Sequence, residues 1–237
     1  MCQTLSIIIP SYNEGASVDA ILRKVQAVEL PYNIKKQVVV VDDGSTDNTA
    51  TYAQNYINQN PSQNVCLLRH TLNQGKGMAI RTAIKQITGD IVVIQDSDEE
   101  LDPNDIALML RKMVDENLDV LYGSRFLGTN HNKAHYRSFY YGTRVLSWLT
   151  NILYAQHITD EPTCYKMFKA DLLKSIPLKC TGFEFCPEVT AKVARQGFKI
   201  QEIPISYYPR TMTQGKKIRA KDGLKAIWYL LKYRFVK

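Results

Sequence analysis

The sequence predicts an α/β fold with a mostly parallel central sheet, helices on both faces, and amphipathic helices towards the C-terminus. Three observations carry that prediction. Short runs of β-branched residues recur through the first 123 residues, helical patterns separate them, and a polar cluster follows each of the first four runs. Contiguous rather than alternating apolar residues mark strands buried on both faces. Strand–helix alternation in turn builds a parallel sheet.

The strands are read in order as LSIIIP (5–10), QVVVVD (37–42), NVCLLR (64–69), DIVVIQ (90–95) and DVLYG (119–123). Helices are expected near 16–28, 46–59, 75–87 and 103–116, several of them started by Ser, Thr, Asp, Asn or Gly. Residues 129–140 are polar, aromatic and basic, and read as a mobile loop. Tyr141, Val145, Trp148, Leu149, Ile152 and Leu153 then follow at helical spacing. A helix over 184–197, a strand over 198–208 and a basic loop over 209–219 lead to a last helix, whose apolar stripe is Leu224, Ile227, Trp228 and Leu231. The polar loops PSYNE, DDGSTDN, RHTLNQGKG and DSDEELD all fall at strand carboxyl ends, the edge where such sheets take ligands.

Composition narrows the class. A chain of 237 residues can bury one large core, and no Pro-, Gly- or Ser-rich linker divides it, so one domain over 1–237 is expected. Apolar (45%) and charged (22%) fractions are those of a soluble globular protein, and no stretch approaches the ~20 apolar residues of a membrane span. MCQTLSIIIPSYNE lacks a basic leader and reads as a first strand, not a signal peptide. Five scattered cysteines without a CxxC pair argue against a disulfide framework or zinc site, and for a reducing, cytoplasmic compartment. Residues 201–237 carry nine Lys/Arg against Glu202 and Asp222, which is the whole net charge of +7. Such a tail beside a neutral body calls for an anionic partner. A membrane surface and plain packing of a solvated helix stand as equal readings, and nucleic acid is disfavoured because no recognition motif accompanies the charge.

The chemistry concentrates in the loops. IQDSDEELDP (94–103) sets five carboxylates in the seven positions from Asp96 to Asp102. Adjacent carboxylates repel by ~1 kcal/mol even in water. In an extended segment Asp96 and Asp98 point the same way with Glu100 next in line, and hard divalent cations take such oxygen ligands. Acidic residues and Pro103 at a helix start would explain much of the run by themselves, so the loop alone leaves metal binding and capping open. VVVVDDGSTDNT puts Asp42 and Asp43 at a strand end, where Gly44 permits a tight turn and Thr46 or Asp47 can cap the next helix. Capping does not explain the doubled Asp, which can accept hydrogen bonds from a ribose or a base. NQGKGMA (73–79) holds Lys76 between two glycines; it is neither a Walker A loop nor GxGxxG, and is weak alone.

Taken together, SIIIPSYNE, VDDGSTDNT, NQGKGMAIRTA and QDSDEELDP resemble family-2 glycosyltransferases, which have the Rossmann-like GT-A fold. YGSRF, TDEPTCYKMF, FEFCPEVTAKVARQGFKIQEIPISYYPR and QGKKIRAKDGLKAIW are similar to the branch of dolichol-phosphate mannosyltransferase and the polyprenyl-phosphate sugar transferases. The resemblance spans Leu5 to about Tyr233 and is specific as a combination. It implies a nucleotide-sugar-binding half (1–123) and an acceptor-binding half (124–237) with a basic C-terminal helix. Pro10, Tyr12, Asn13 and Glu14 match the first nucleotide-contacting loop, Asp42 and Asp43 the loop reading base and ribose, and Lys76 the segment that closes over the nucleotide. Asp96 and Asp98 match the DxD pair that holds Mg²⁺ or Mn²⁺ on the diphosphate. Arg125 and Arg137 match basic residues that meet phosphates. Where the mannosyltransferases often have Gln, this chain has Glu100, a possible third metal ligand that does not identify the sugar.

The resemblance implies inverting transfer from a GDP- or UDP-sugar; Asp98, Arg125, Arg137 and, as a candidate base, Glu188 form the expected catalytic set. A polyprenyl phosphate acceptor is already anionic and needs no base; Arg137, Arg210, Lys216 and Lys217 would position it, with Arg125. A saccharide hydroxyl would need a carboxylate to take its proton, and Asp160, Glu184 and Glu188 are the candidates. The last two also read as a helix-start charge pair, and Asp160 as a turn residue. A nucleotide-sugar-binding protein without catalysis is a third reading, against which the intact Asp96/Asp98 pair and the arginines speak. Nucleotidyltransferase chemistry is excluded, because PSYNEGAS is not its glycine-rich loop. The expected place of action is the cytoplasmic face of a membrane, as a peripheral protein.

Overall fold

The computed structural model describes residues 2–128, 137–210 and 220–236, the side chains of 137–139 and 220 excepted. Its centre is a seven-stranded sheet in the order β3-β2-β1-β4-β6-β5-β7. β1 (Thr4–Ser11), β2 (Lys35–Asp42), β3 (Val65–Arg69) and β4 (Ile91–Ile94) pair in parallel. β5 (Val120–Ser124) pairs in parallel with β7 (Gln201–Pro204), and β6 (Lys166–Lys169) runs antiparallel between β4 and β5. The sheet therefore joins the two halves of the chain, and its winding reverses between β1 and β4. Open α/β sheets take ligands at the carboxyl ends of such a pair.

Alternate strand residues feed the two faces. Ile8, Val39, Val41, Val92 and Ile94 join α3 (Lys76–Ile84), α6 (Ala170–Ser175) and α7 (Phe185–Arg195) in one core. Leu5, Ile7, Ile9, Val38, Val40 and Val93 pack against α1 (Ser17–Ala27), α2 (Thr49–Gln59) and α4 (Asp105–Asp115) in the other. Burying each such Leu, Ile or Met contributes about 1.5–3 kcal/mol, and this fixes the strand ends that carry the polar loops. A third cluster, with Leu146, Tyr154, Ala191, Leu230 and Tyr233, binds α5 (Arg137–Tyr154) and α8 (Ala220–Phe235) to α7.

The structure corrects the sequence reading in three places. The strand expected over 198–208 is confined to 201–204; beyond it the chain leaves the sheet, Tyr207 bridges Leu101, and Ser206 N donates to Asp105 Oδ2 at 2.6 Å. The pattern shows neither β6 nor α6. KMFK is half charged, and Lys166 is buried in β6 because its ammonium donates to the Glu161 carbonyl at 2.7 Å and sits 3.5 Å from the Tyr122 ring centroid. The third correction concerns α8. Its buried stripe is Ala226, Leu230 and Tyr233, while Leu224, Trp228 and Leu231 are exposed, so of the two readings left open for that stripe, packing does not hold. Of the loop expected over 129–140, residues 129–136 lie outside the described residues, and α5 begins at Arg137.

Candidate active site

The loops after β1, β2 and β4 meet at the reversal point and are tied to one another. Asn13, at φ +49°, accepts from Thr46 N through Oδ1 (2.9 Å) while its own N–H donates to Ser45 Oγ (2.9 Å). Thr49 Oγ1 takes the amides of both Glu14 and Gly15 at 2.9 Å. Asp47 accepts from Gly15 N (3.0 Å) and Thr49 N (3.0 Å), and so starts α2 from its side chain. Burial opposes ionisation of Asp47, but its contacts with Thr49 and Gly15 hold the carboxyl below its ordinary value. Asn13, expected at the nucleotide, thus spends its side chain on joining two loops. Pro10 contributes its carbonyl to Ser97 Oγ at 3.1 Å, which ties β1 to the acidic loop. Tyr12 is half-buried beside these residues.

The doubled Asp divides its labour. Asp43 is a clamp: it accepts from Gln74 N (3.0 Å) and Gly75 N (2.7 Å), and Oδ1 lies 2.6 Å from His70 Nδ1. The far side of that ring meets Thr82 Oγ1 at 2.9 Å, so one imidazole joins the β2 end to α3. Asp42 keeps more acceptor capacity, with long contacts to Ser45 N (3.3 Å) and Arg69 Nε (3.4 Å). His70 escaped sequence reasoning because a lone His carries no spacing signal. At Gly75, φ is +93° and a Cβ would meet Thr181 O at 2.4 Å, so only glycine lets α3 start against the 181–182 segment.

Lys76, the first residue of α3, forms an ion pair with Asp96 and lies 2.9 Å from Cys164 Sγ. Burial works against both charges, yet each holds the other ionised: the Asp96 carboxyl stays below its ordinary value and the Lys76 ammonium well above its own. Asp98 is the opposite case. Burial, then the facing Asp96 and Glu100, push it up to about 7, with Arg210 and Lys76 opposing. That is the signature of a site short of positive charge. Among the described residues no three His, Cys, Asp or Glu side chains converge on one point. An arrangement of two carboxylates suits Mg²⁺ or Mn²⁺, whose remaining ligands are substrate phosphates and water. Asp96 and Asp98 fit that cation. Glu100 instead accepts from Arg210 N at 2.8 Å, and its own carbonyl takes Tyr208 N at 2.8 Å.

Arg210 Nη1 reaches Glu14 Oε2 at 3.0 Å. Arg125 binds Asp160 through a fork, Nε to Oδ2 and Nη2 to Oδ1 both at 2.7 Å, and lies 5.1 Å from the Tyr207 ring centroid. Burial disfavours its charge, but Asp160 outweighs that and raises its pKa above the ordinary value. The side chain of Arg137, and Lys216 and Lys217 entirely, lie outside the described residues.

Of the three candidate bases, none is uncommitted. Glu188 is fully buried in α7, accepts the amides of Lys179 (2.8 Å) and Cys180 (2.6 Å), and pairs with Lys192. Burial would raise its carboxyl; Lys192 and those amides hold it below its ordinary value. In the structure Glu188 anchors the segment that α3 abuts. Glu184 binds the amides of Thr181 (3.2 Å) and Gly182 (3.0 Å). Asp160 is taken by Arg125. Sequence reasoning also missed Glu161, whose two carboxyl oxygens are buried without a hydrogen-bond partner and whose pKa is pushed up to about 8, chiefly by burial.

Known proteins resemble this chain in sequence and fold. The model of the family described as glycosyl transferase family 2 matches residues 6–176, well over half of the chain. A UDP-N-acetylglucosamine–dolichyl-phosphate N-acetylglucosaminyltransferase of Methanococcus voltae is 27% identical over 95% of this chain and 94% of its own. A dolichyl-phosphate beta-glucosyltransferase of Trichomonas vaginalis is 26% identical over 96% of this chain and 72% of its own. Among solved structures, glucosyl-3-phosphoglycerate synthase from Mycobacterium tuberculosis, in complex with Mn²⁺, UDP and phosphoglyceric acid, superposes with a TM-score of 0.70 at 17% identity, covering 99% of this chain and 80% of that one. That likeness extends to the fold, the family model to the loops that carry the carboxylates. The chain belongs to glycosyl transferase family 2 and is an enzyme of the glycosyltransferase class.

Proposed function

We propose that this glycosyltransferase moves a sugar, with inversion, from a nucleotide-sugar donor to a polyprenyl phosphate, as a peripheral protein at the cytoplasmic face of a membrane. Asp42, at the end of β2, receives the nucleoside, and Asp96 and Asp98 hold a divalent metal with the donor diphosphate. When bound, that metal stabilises the charge developing on the leaving diphosphate. Lys76, held beside Asp96, adds a fixed positive charge at the same place. Arg125 and Arg210, presented from the acceptor half, orient the incoming phosphate oxygen towards the anomeric carbon; guanidinium forks suit such bidentate contacts.

One observation carries the choice of acceptor: every carboxylate named as a base for a hydroxyl is committed elsewhere, Asp160 to Arg125, Glu184 to two amides, and Glu188 to two amides and Lys192. A lipid phosphate is already ionised and needs no base. The names of the two relatives, both transferases to dolichyl phosphate, support the same reading. The test is incubation with labelled UDP- and GDP-sugars, Mn²⁺ or Mg²⁺, and a short polyprenyl phosphate. Label should enter the organic phase and stop doing so with EDTA. Label that reaches only soluble saccharides would reject the proposal.

A further inference from the structure

We infer that α5 and α8 form a membrane-docking face that seats on a surface of anionic phospholipid. Each helix has two apolar sides. The inner sides, with Leu146 and Tyr154 on α5 and Leu230 and Tyr233 on α8, pack into the third core cluster, where Tyr154 Oη also donates to the Leu230 carbonyl at 2.5 Å. The outer sides have no counterpart among the described residues. On α5, Tyr141, Val145, Trp148 and Ile152 recur at i, i+4, i+7 and i+11, a continuous stripe along the helix. On α8, Leu224, Trp228, Leu231 and Phe235 repeat the same spacing. These outer residues are exposed to between 37% at Leu231 and 81% at Phe235, with Trp148 at 62% and Trp228 at 61%. Scattered surface apolar residues are ordinary; two parallel-spaced stripes on helices already packed together are a patch that needs a cover.

The charge beside the stripes selects that cover. α8 carries Lys221, Lys225, Lys232 and Arg234 against Asp222, and α5 adds Arg144. A twofold contact with a second copy would set these cations against themselves. An anionic lipid surface attracts them and accepts the aromatic and aliphatic side chains at headgroup depth. No described helix is long and apolar enough to cross a membrane, so the face lies on the bilayer. Its position also suits the reaction. α5 lies between Arg125 and Asp160 in the chain, and α8 follows Arg210. Ser147 of α5 accepts the amide of Glu161 at 2.9 Å, beside the Asp160 that holds Arg125, so docking through α5 carries that pair towards the lipid. The inference rests on the lipid-acceptor reading for its purpose, but not for its geometry.

The test is sedimentation of the full chain with vesicles of phosphatidylcholine alone and of phosphatidylcholine mixed with phosphatidylglycerol, without substrates. The wild type should partition to the mixed vesicles and release as salt rises. Trp148→Ser with Trp228→Ser should lower the partition coefficient on the order of tenfold or more, with unchanged thermal unfolding, because both side chains face outwards. Lys221→Glu with Lys225→Glu should lower it on the mixed vesicles only. No vesicle binding by the wild type, equal binding by the tryptophan variant, or a soluble dimer that the tryptophan variant splits would each overturn the inference. Turnover of a water-soluble short-chain polyprenyl phosphate should be the same in wild type and tryptophan variant. If neither turns it over while vesicle binding behaves as stated, the acceptor reading fails and the docking face stands.

Discussion

Arg210 and Glu14, 196 residues apart in the chain, meet at 3.0 Å across the mouth of the site, while the amide of the same arginine holds Glu100 at 2.8 Å. One residue from the second half of the chain thereby fastens the loop after β1 to the acidic loop after β4. The pair is partly exposed, so its own stabilisation is about 0–1 kcal/mol. Its value lies in keeping a guanidinium beside Asp98 and Glu100.

Arg210→Ala should therefore leave thermal unfolding nearly unchanged and lower kcat/KM by about tenfold to a hundredfold, the equivalent of one charge-assisted contact. Steady-state kinetics alongside a melting curve check this. A large loss of stability with unaltered kinetics would make Arg210 a structural tie only.

Arg125 should behave differently. Asp160 is fully buried and accepts both arms of the fork, so Arg125→Ala leaves an uncompensated buried charge, which costs about 3–5 kcal/mol. Urea unfolding measures it. Arg125→Lys keeps the charge but not the fork, and should recover only part of the loss.

Asp98→Asn should separate function from stability. The substitution removes repulsion with Asp96 and Glu100 from a carboxyl already pushed up to about 7. The variant should unfold at the same temperature or higher, while metal-dependent nucleotide binding disappears and turnover falls by about a thousandfold or more. Calorimetric titration with nucleoside diphosphate, with and without Mn²⁺, checks the binding.

Glu161 makes a pH prediction. The folded chain holds its proton until about pH 8, whereas an ordinary Glu loses it near 4.5. Between those values the unfolded chain binds fewer protons than the folded one, so this group lowers stability as pH rises from about 4.5 to 8 and no further. Glu161→Gln should flatten that decline in urea midpoints taken across the range. An unchanged slope would assign the decline to another group.

The fold was legible where its signal is local. The contiguous runs of β1 to β5 and the helices between them follow from apolar pattern alone. β6 was not, because KMFK is buried through the Lys166 contact with the Glu161 carbonyl, a tertiary fact with no sequence period. The packing side of α8 was left open because a helix apolar on two sides gives two stripes, and sequence does not say which one meets α7. The carboxylates of the site were legible as a set, but their division of labour was not. Asp43 becomes a clamp only because His70 and the 74–75 amides arrive from another loop. The Glu188 contact with Lys192 is likewise a side-chain pairing that the sequence does not announce.

The central claim is that the acceptor is a phosphate that needs no base. The most direct measurement compares initial rates with a short polyprenyl phosphate, the corresponding polyprenol and a saccharide, at one donor concentration and saturating Mn²⁺. Transfer to the polyprenyl phosphate alone, retained by Glu188→Gln in whatever fraction still folds, is the predicted result. Transfer to the polyprenol or the saccharide, lost in Glu188→Gln while the variant remains folded, would contradict it.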